Sequence, residues 1–179
     1  MDNTLFENLS TLFGRDDING LLDYLRCKGV SIFDVRDSSG NTPLHYAVWK
    51  NSKRCLEYLL GDSSTSGAID INAQDEDGNT PLHLAVSYYS KECLEILLNT
   101  IPSGGAIDVD AVNNEGDTPL HEAARNNSRE FMKILVDCGA SSGIRNNYGE
   151  TFLDLIEDKE MEEYICQLTT LHLKEPGFF

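Results

Sequence analysis

The chain has 179 residues, with 30 acidic against 14 basic side chains and a net charge of −16 at pH 7. This charge argues against nucleic acid and anionic membrane surfaces as partners, because binding to phosphate groups depends on Lys and Arg. The length favours one domain, and 40% hydrophobic residues is an ordinary globular composition.

The sequence predicts an intracellular, cytoplasmic protein. No apolar run approaches the roughly 20 residues that a membrane-spanning helix needs. The N-terminal segment lacks the basic stretch and apolar core of a secretory signal. The cysteines number five and form no C-x-x-C pair, which is typical of reduced thiols.

Four related segments follow one another along the chain. They are NTPLHYAV (41–48), NTPLHLAV (79–86), DTPLHEAA (117–124) and the degenerate ETFLDLIE from Glu150. The threonines that open them are 38, 38 and 33 residues apart. The helical patterns RCLEYLL, ECLEILL and EFMKILV follow the first three copies, and INGLLDYLRCKGV supplies an equivalent helix near the N-terminus.

Each copy predicts a pair of short helices. A threonine before proline is a suitable helix N-cap with Pro in the first turn, and the glycine before it suits a turn with positive φ. The second helix carries apolar residues at spacings of three and four, such as Cys55, Leu56, Leu59 and Leu60. Because such a short pair cannot bury its apolar face alone, neighbouring repeats must stack into a continuous core.

These motifs resemble the ankyrin repeat, whose period is about 33 residues with a T-P-L-H-x-A core. The resemblance implies an all-α solenoid of stacked helix-turn-helix units with β-hairpin or loop fingers. It implies one domain over 1–169, with an N-terminal cap (1–36), repeats at 37–74, 75–112 and 113–145, a C-terminal cap (146–169) and a tail (170–179). The structural repeat residues are Thr42, Pro43, Leu44, His45, Thr80, Pro81, Leu82, His83, Thr118, Pro119, Leu120 and His121.

Two features depart from the family pattern. The first two full repeats carry five extra residues, within GDSSTSGAID and NTIPSGGAID, which we expect to project on one side. Tyr89 stands where the family has glycine between its two helices. Asn51 and Asn127 in that slot tolerate a left-handed backbone better than tyrosine does, so we expect strain or a changed turn at Tyr89.

No catalytic, cofactor or metal site is predicted. His45, His83 and His121 recur once per repeat, too far apart to share one zinc ion, and the resemblance gives them a structural role. HEAAR at 121–125 lacks the second histidine of H-E-x-x-H, and neither a G-x-S-x-G elbow nor a phosphate-binding glycine loop is present. Cys55 and Cys93 share a repeat position with Phe131, which is typical of small core residues.

The resemblance places partner contacts on the finger tips and the exposed face of the first helices. Trp49, Tyr88 and Arg125 are the central candidates, since Trp, Tyr and Arg are enriched at interface hot spots. The predicted partner-binding residues are Trp49, Lys50, Glu76, Asp77, Asn79, Tyr88, Asn114, Glu115, Asp117, Arg125 and Tyr148.

Charge is unevenly distributed. Between residues 55 and 124 there are thirteen acids and one base, Lys91, which predicts an acidic ridge over the middle fingers that would attract a basic partner. High net charge also simply favours solubility. The acidic run at 157–163 is interpreted as the solvated face of a capping helix, with an interaction tail as the alternative.

The function predicted is a monomeric, non-enzymatic protein-protein interaction module. One alternative is an acidic protein, similar to inhibitor-of-kappa-B, that sequesters the nucleic-acid-binding surface of a basic partner. Another is an effector or adaptor that a microbe or virus delivers into the host cytosol, because the acidic C-terminal segment is faintly similar to translocation signals of bacterial effectors.

Overall fold

The computed structural model describes residues 3–32, 35–61, 69–99 and 106–174. They divide into two units, Met1–Asp108 and Val109–Phe179. In the first unit the helices are α1 (Asn3–Gly14), α2 (Ile18–Lys28), α3 (Pro43–Trp49), α4 (Lys53–Gly61), α5 (Pro81–Ser87) and α6 (Lys91–Asn99). The second unit contains α7 (Pro119–Arg125), α8 (Arg129–Asp137), a 3-10 helix (Phe152–Leu155) and α9 (Lys159–Lys174).

The first unit stacks three helix pairs. The first helices α1, α3 and α5 pack in one row, and the second helices α2, α4 and α6 pack in another. Leucines of every pair fill the space between the rows, and each is buried: Leu9, Leu21, Leu44, Leu56, Leu82 and Leu94. Each such leucine contributes roughly 1.5–3 kcal/mol, so the apolar spacing of the sequence accounts for the stack.

In the second unit α7 packs against both α8 and the 3-10 helix, and α8 packs against α9. The buried side chains include Leu120, Phe131, Leu135 and Ile165. The acids of the predicted capping helix, from Glu157 to Glu163, are exposed while Ile165 faces the core. This exposure is consistent with the solvated-face interpretation of the run. The helix itself continues to Lys174, past the predicted domain boundary at 169.

The predicted helix starts are confirmed. Thr42, Thr80 and Thr118 have extended backbone, and the proline after each is the first helical residue. In the degenerate fourth copy the first helix shrinks to the 3-10 turn, and Asp154 takes the place of histidine. Its carboxylate accepts the Thr151 backbone N–H at 2.8 Å and hydroxyl at 2.7 Å.

Of the two forms that the sequence left open for the fingers, β-hairpin or loop, the fingers take the loop form. They are tight turns, and the described residues contain no strand. In the second finger Asp75 donates its N–H to the Asn79 carbonyl, and its carboxylate accepts the Asp77 and Asn79 N–H groups. Such an Asx turn satisfies the backbone locally, so no ladder forms.

Neighbouring repeats are joined by backbone contacts as well as by the apolar core. The Glu76 N–H donates to the Ser39 carbonyl at 2.9 Å. Gly40 lies under this bond with φ of 77°, where a Cβ would approach the Glu76 nitrogen to 3.2 Å. On the other side of the stack the buried hydroxyl of Ser90 donates to the Val48 carbonyl at 3.1 Å. Glycine is therefore required where two fingers meet.

The two insertions fall largely on residues 62–68 and 100–105, so their predicted projection lies outside the described residues. None of the helices in the described ranges combines the length and hydropathy of a membrane span.

Tyr89 adopts the same left-handed turn as its equivalents. Its φ is 55°, against 51° for Asp16, Asn51 and Asn127. The turn is closed by the same bonds, from Tyr89 N–H to Val86 and from Ser90 N–H to Ala85. Of the two expectations, a changed turn is therefore wrong, and the unfavourable backbone conformation falls on the tyrosine itself.

We expect Tyr89→Asn to raise the free energy of unfolding by about 1 kcal/mol, because asparagine adopts a left-handed backbone at lower cost. The matched control is Tyr88→Asn, since Tyr88 is also exposed but has φ of −96°. Urea unfolding should show the gain for Tyr89→Asn alone. Equal stability changes in both variants would contradict a conformational origin.

Candidate functional site

Two of the repeated histidines, His45 and His121, occupy seams between successive repeats of their own unit. The Nδ1 atom of His45 accepts the Thr42 N–H at 3.1 Å, so the proton lies on Nε2, which donates to the Asn79 carbonyl at 3.0 Å. His121 is held in the same way by Thr118 and by the Glu150 carbonyl at 3.1 Å. Both rings thus tie a helix start to the following finger, which is a structural role.

These imidazoles have no nitrogen left for a metal. Within the described ranges no group of three or more His, Cys, Asp or Glu could hold an ion. Burial lowers the pKa of His45, which keeps its ring neutral near pH 7.

A row of aromatic side chains lies on the first helices of the Met1–Asp108 unit. It consists of Phe6 on α1, Tyr46 and Trp49 on α3, and Tyr88 at the end of α5. Tyr46 is buried, Phe6 is half-buried, and the other two members are exposed. Successive ring centroids are 6.3 Å (Phe6–Tyr46), 5.9 Å (Tyr46–Trp49) and 6.2 Å (Trp49–Tyr88) apart. Trp49 is 45% exposed and Tyr88 52% exposed. We call these four residues the aromatic row.

A cleft of about 550 Å³ opens beside this row and is called here the aromatic cleft. Its apolar side is formed by Phe6, Tyr46 and Trp49. Its polar lining consists of Glu7, Ser10, Thr11, Asp37 and Ser38. The cleft therefore combines aromatic rings with two carboxylates, an arrangement that suits a cationic group with an apolar stem.

Asp37 is a fixed negative charge in this cleft. Its carboxylate accepts hydrogen bonds from the Tyr46 hydroxyl at 2.8 Å, the Asn41 amide at 3.0 Å and the Ser39 N–H at 2.9 Å. Burial by itself would raise the pKa of Asp37, but these hydrogen bonds outweigh it and hold the pKa below its ordinary value. Tyr46 is thereby locked in place as the base of the cleft.

Lys50 contacts the aromatic row directly. Its Nζ atom lies 4.1 Å from the centre of the Trp49 ring. This is a cation–π contact, in which the negative face of the indole attracts the ammonium group.

The finger residues predicted as contacts divide into exposed and structural ones. Glu76 and Asp77 are exposed in the first unit, and so are Asn114, Glu115 and Tyr148 in the second. Asn79 is half-buried, and its carbonyl holds His45. Asn79 therefore serves mainly the turn and the seam.

Asp117 is a correction to the predicted set. It is 0% exposed, so it presents no surface to a partner. Its carboxylate accepts the Arg125 guanidinium at 2.6 Å and the Asn146 amide at 2.8 Å. The first two fingers begin with an acid and end with an amide, as in Asp37–Asn41, whereas the third and fourth, Asn113–Asp117 and Asn146–Glu150, have the reverse order. Asp117 is fully buried while Glu150 is half-buried, and a buried charge requires a cation.

Arg125, a central candidate for binding, thus has a structural role in this ion pair, although 44% of its side chain stays exposed.

The cysteines offer no activated nucleophile in the core. Burial raises the pKa values of Cys55 and Cys93 to about 12, so both remain thiols. Cys27 and Cys138 are exposed.

Sequence reasoning missed Phe6, Tyr46 and Asp37. Tyr46 stands at the variable position of T-P-L-H-x-A, where the next two copies have Leu84 and Glu122, and this variation was the available signal. Phe6 carries no such signal, because the N-terminal pair lacks the motif that would align it with the other repeats.

Two family models match the chain. One, described as "Ankyrin repeats (3 copies)", matches residues 64–147. The other, described as "Ankyrin repeats (many copies)", matches residues 13–60. No curated protein is similar enough in sequence to count as a relative.

The buried His45 ring predicts a pH dependence of stability. Because the folded-state pKa of His45 is below the ordinary value of about 6.5, protonation favours the unfolded chain, and stability is lost as the pH falls below that value. We expect the free energy of unfolding to decline between about pH 7.5 and about pH 5.5. His45→Gln should make this decline shallower, and His172→Gln, outside the repeat motifs, should leave it intact. An unchanged slope in His45→Gln would refute the assignment.

Removing the Arg125 guanidinium should destabilise the protein by about 1.5–3 kcal/mol, because it leaves the buried Asp117 carboxylate without its charged donor. The control is Arg26→Ala, which breaks an exposed pair with Asp23 and should cost less than about 1 kcal/mol. In an Asp117→Asn background the loss from Arg125→Ala should largely disappear in chemical unfolding. Additive losses would argue against a direct pair.

Proposed function

The chain belongs to the ankyrin-repeat family, and from this premise we propose that it is a non-enzymatic module that binds a protein partner on the aromatic cleft and the adjoining fingers of the Met1–Asp108 unit. Ankyrin repeats generally act as protein-protein interaction modules and are typically non-catalytic. The single observation that carries the proposal is the exposure of Trp49 and Tyr88, in mutual contact, beside a cleft.

Exposed, adjacent aromatic rings support a binding role on energetic grounds. The second helices bury their apolar faces in the stack, whereas Trp49 and Tyr88, at the ends of two first helices, leave about half of their surface in water. Their burial by a partner would release that water, and Trp and Tyr dominate the energetics of many interfaces. Trp49 is also the only tryptophan of the chain.

We further propose that the partner surface is basic. Asp37 and Glu7 line the cleft, and Glu76 and Asp77 are exposed on the neighbouring finger. Together with the net charge of −16, they would attract cationic surfaces and accelerate association at low ionic strength. Sequestration of a basic protein surface, such as one that binds nucleic acid, is the form of this function that the charge favours.

The cysteines support an assignment to a reducing, intracellular compartment. None of the five, all within the described ranges, forms a disulfide, and Cys55 and Cys93 are fully buried in the core. Disulfides are rare in the cytosol and common outside it.

The function is tested with a partner captured from cell lysate and then purified. Trp49→Ala and Tyr88→Ala should each weaken its affinity by about 2 kcal/mol or more. Tyr24→Ala is the control, since Tyr24 lies on α2, in the row of second helices. Circular dichroism checks folding. Unchanged affinity in both folded variants would remove the binding site from the aromatic row.

The charge of the partner surface is tested separately by ionic strength. Affinity for a basic partner should fall steeply between low and high salt, because screening weakens the attraction between exposed charges. A salt-independent affinity would reject a basic partner while leaving the aromatic site intact.

A further inference from the structure

The contact between Lys50 and Trp49 shows that this part of the aromatic row accepts a cation. The Lys50 Nζ atom lies 4.1 Å from the ring centre, and no described carboxylate forms an ion pair with it. The other paired lysines of this unit, Lys53 and Lys91, reach a glutamate one turn further along their helix. Lys50 instead rests on an indole, the side chain that attracts cations best.

We propose that the Trp49 ring is a binding site for the guanidinium group of an arginine in an extended basic segment of the partner, and that Lys50 occupies this site in the free protein as an intramolecular competitor. The inference rests on the proposed function and specifies the chemistry that the site recognises.

The surroundings of the ring favour arginine. The cleft that Trp49 lines also contains the rings of Phe6 and Tyr46, on which the three methylene groups of an arginine can lie. A guanidinium is planar and more weakly hydrated than an ammonium group, so it stacks on an indole with a smaller desolvation cost. Arginine therefore has an advantage over the lysine that it replaces.

The charges of the cleft point to the same ligand. Asp37 is held ionised, but its oxygens are already engaged by Tyr46, Asn41 and Ser39. It therefore contributes long-range attraction rather than a direct hydrogen bond. Glu7 is exposed on the cleft wall, where its carboxylate can receive a guanidinium N–H. If a neutral apolar segment bound here, the carboxylates of Asp37 and Glu7 would remain uncompensated beside it.

Lys50 opposes this binding in two ways, because it covers the ring and repels an incoming cation. Removing Lys50 should therefore tighten binding more than the removal of a positive charge elsewhere on the unit does. An exposed cation–π contact corresponds to about a two- to fivefold change in affinity. The affinity of Lys50→Gln for an arginine peptide should therefore exceed that of a variant that loses a positive charge elsewhere by about that factor.

The probe is a fluorescein-labelled tetra-arginine peptide, blocked at both ends, with the tetra-citrulline peptide as its neutral isostere. Anisotropy is measured with the unaltered protein and with Lys50→Gln, Lys53→Gln and Trp49→Leu. Lys53→Gln removes the same charge from an exposed lysine on α4. Emission of the only tryptophan, measured with unlabelled peptide, reports directly on occupation of the ring.

We expect tetra-arginine to bind and to change the Trp49 emission, tetra-citrulline to bind far more weakly, and Trp49→Leu to lose most of the affinity. Lys50→Gln should bind about two- to fivefold more tightly than Lys53→Gln. Without any peptide, Lys50→Gln should already shift the Trp49 emission, whereas Lys53→Gln should leave it unchanged.

Equal affinities of Lys50→Gln and Lys53→Gln, equal binding of the citrulline peptide, or no binding at millimolar peptide would each overturn the inference. If the captured partner still requires Trp49 and Tyr88 in that case, the proposed function stands and only the arginine site falls. If neither the partner nor the peptide depends on these aromatics, the proposed function falls as well.

Discussion

The hydrogen bonds that His45 and His121 make at the seams within their units are the interaction on which the rest of the structure depends. The ring accepts from the threonine that starts its own helix and donates to a carbonyl of the following finger, as His45 does with Thr42 and Asn79. One side chain thus fixes both the start of a short helix and its distance from the next repeat. Because a helix of seven residues is too short to be stable alone, this coupling is what holds the first helices in a row.

The first helices leave their variable positions free to carry function. The position seven residues after each threonine holds Trp49, Ser87 and Arg125, and the next position holds Lys50, Tyr88 and Asn126. Trp49 meets Tyr88 because stacking brings one repeat's seventh position against the following repeat's eighth. The stacking of the repeats therefore decides which two positions are in contact. It does not decide which residue types occupy them.

Arg125 illustrates how the same position can serve stability instead. It occupies the slot of Trp49, yet its guanidinium pairs with Asp117, the buried acid at the end of the third finger. In the first finger the equivalent residue is the neutral amide Asn41, so the seventh residue, Trp49, has no charge to neutralise. The residue that ends a finger thereby affects whether a first-helix side chain is available to a partner.

The sequence by itself determined the helix pairs, their caps, the left-handed turns and the stacked core. These features follow from motifs within a few residues of one another, such as threonine and histidine three apart, and from the apolar period of the second helices. It did not determine that Phe6 and Tyr46 form a cleft with Trp49, that Lys50 covers the indole, or that Asp117 is buried. Those outcomes depend on contacts between repeats about 40 residues apart, as in Phe6–Tyr46, and on the side-chain conformations that packing selects. The local periodicity of the sequence carries no information about contacts between repeats or about side-chain conformations. Only the tertiary structure therefore decided these three outcomes.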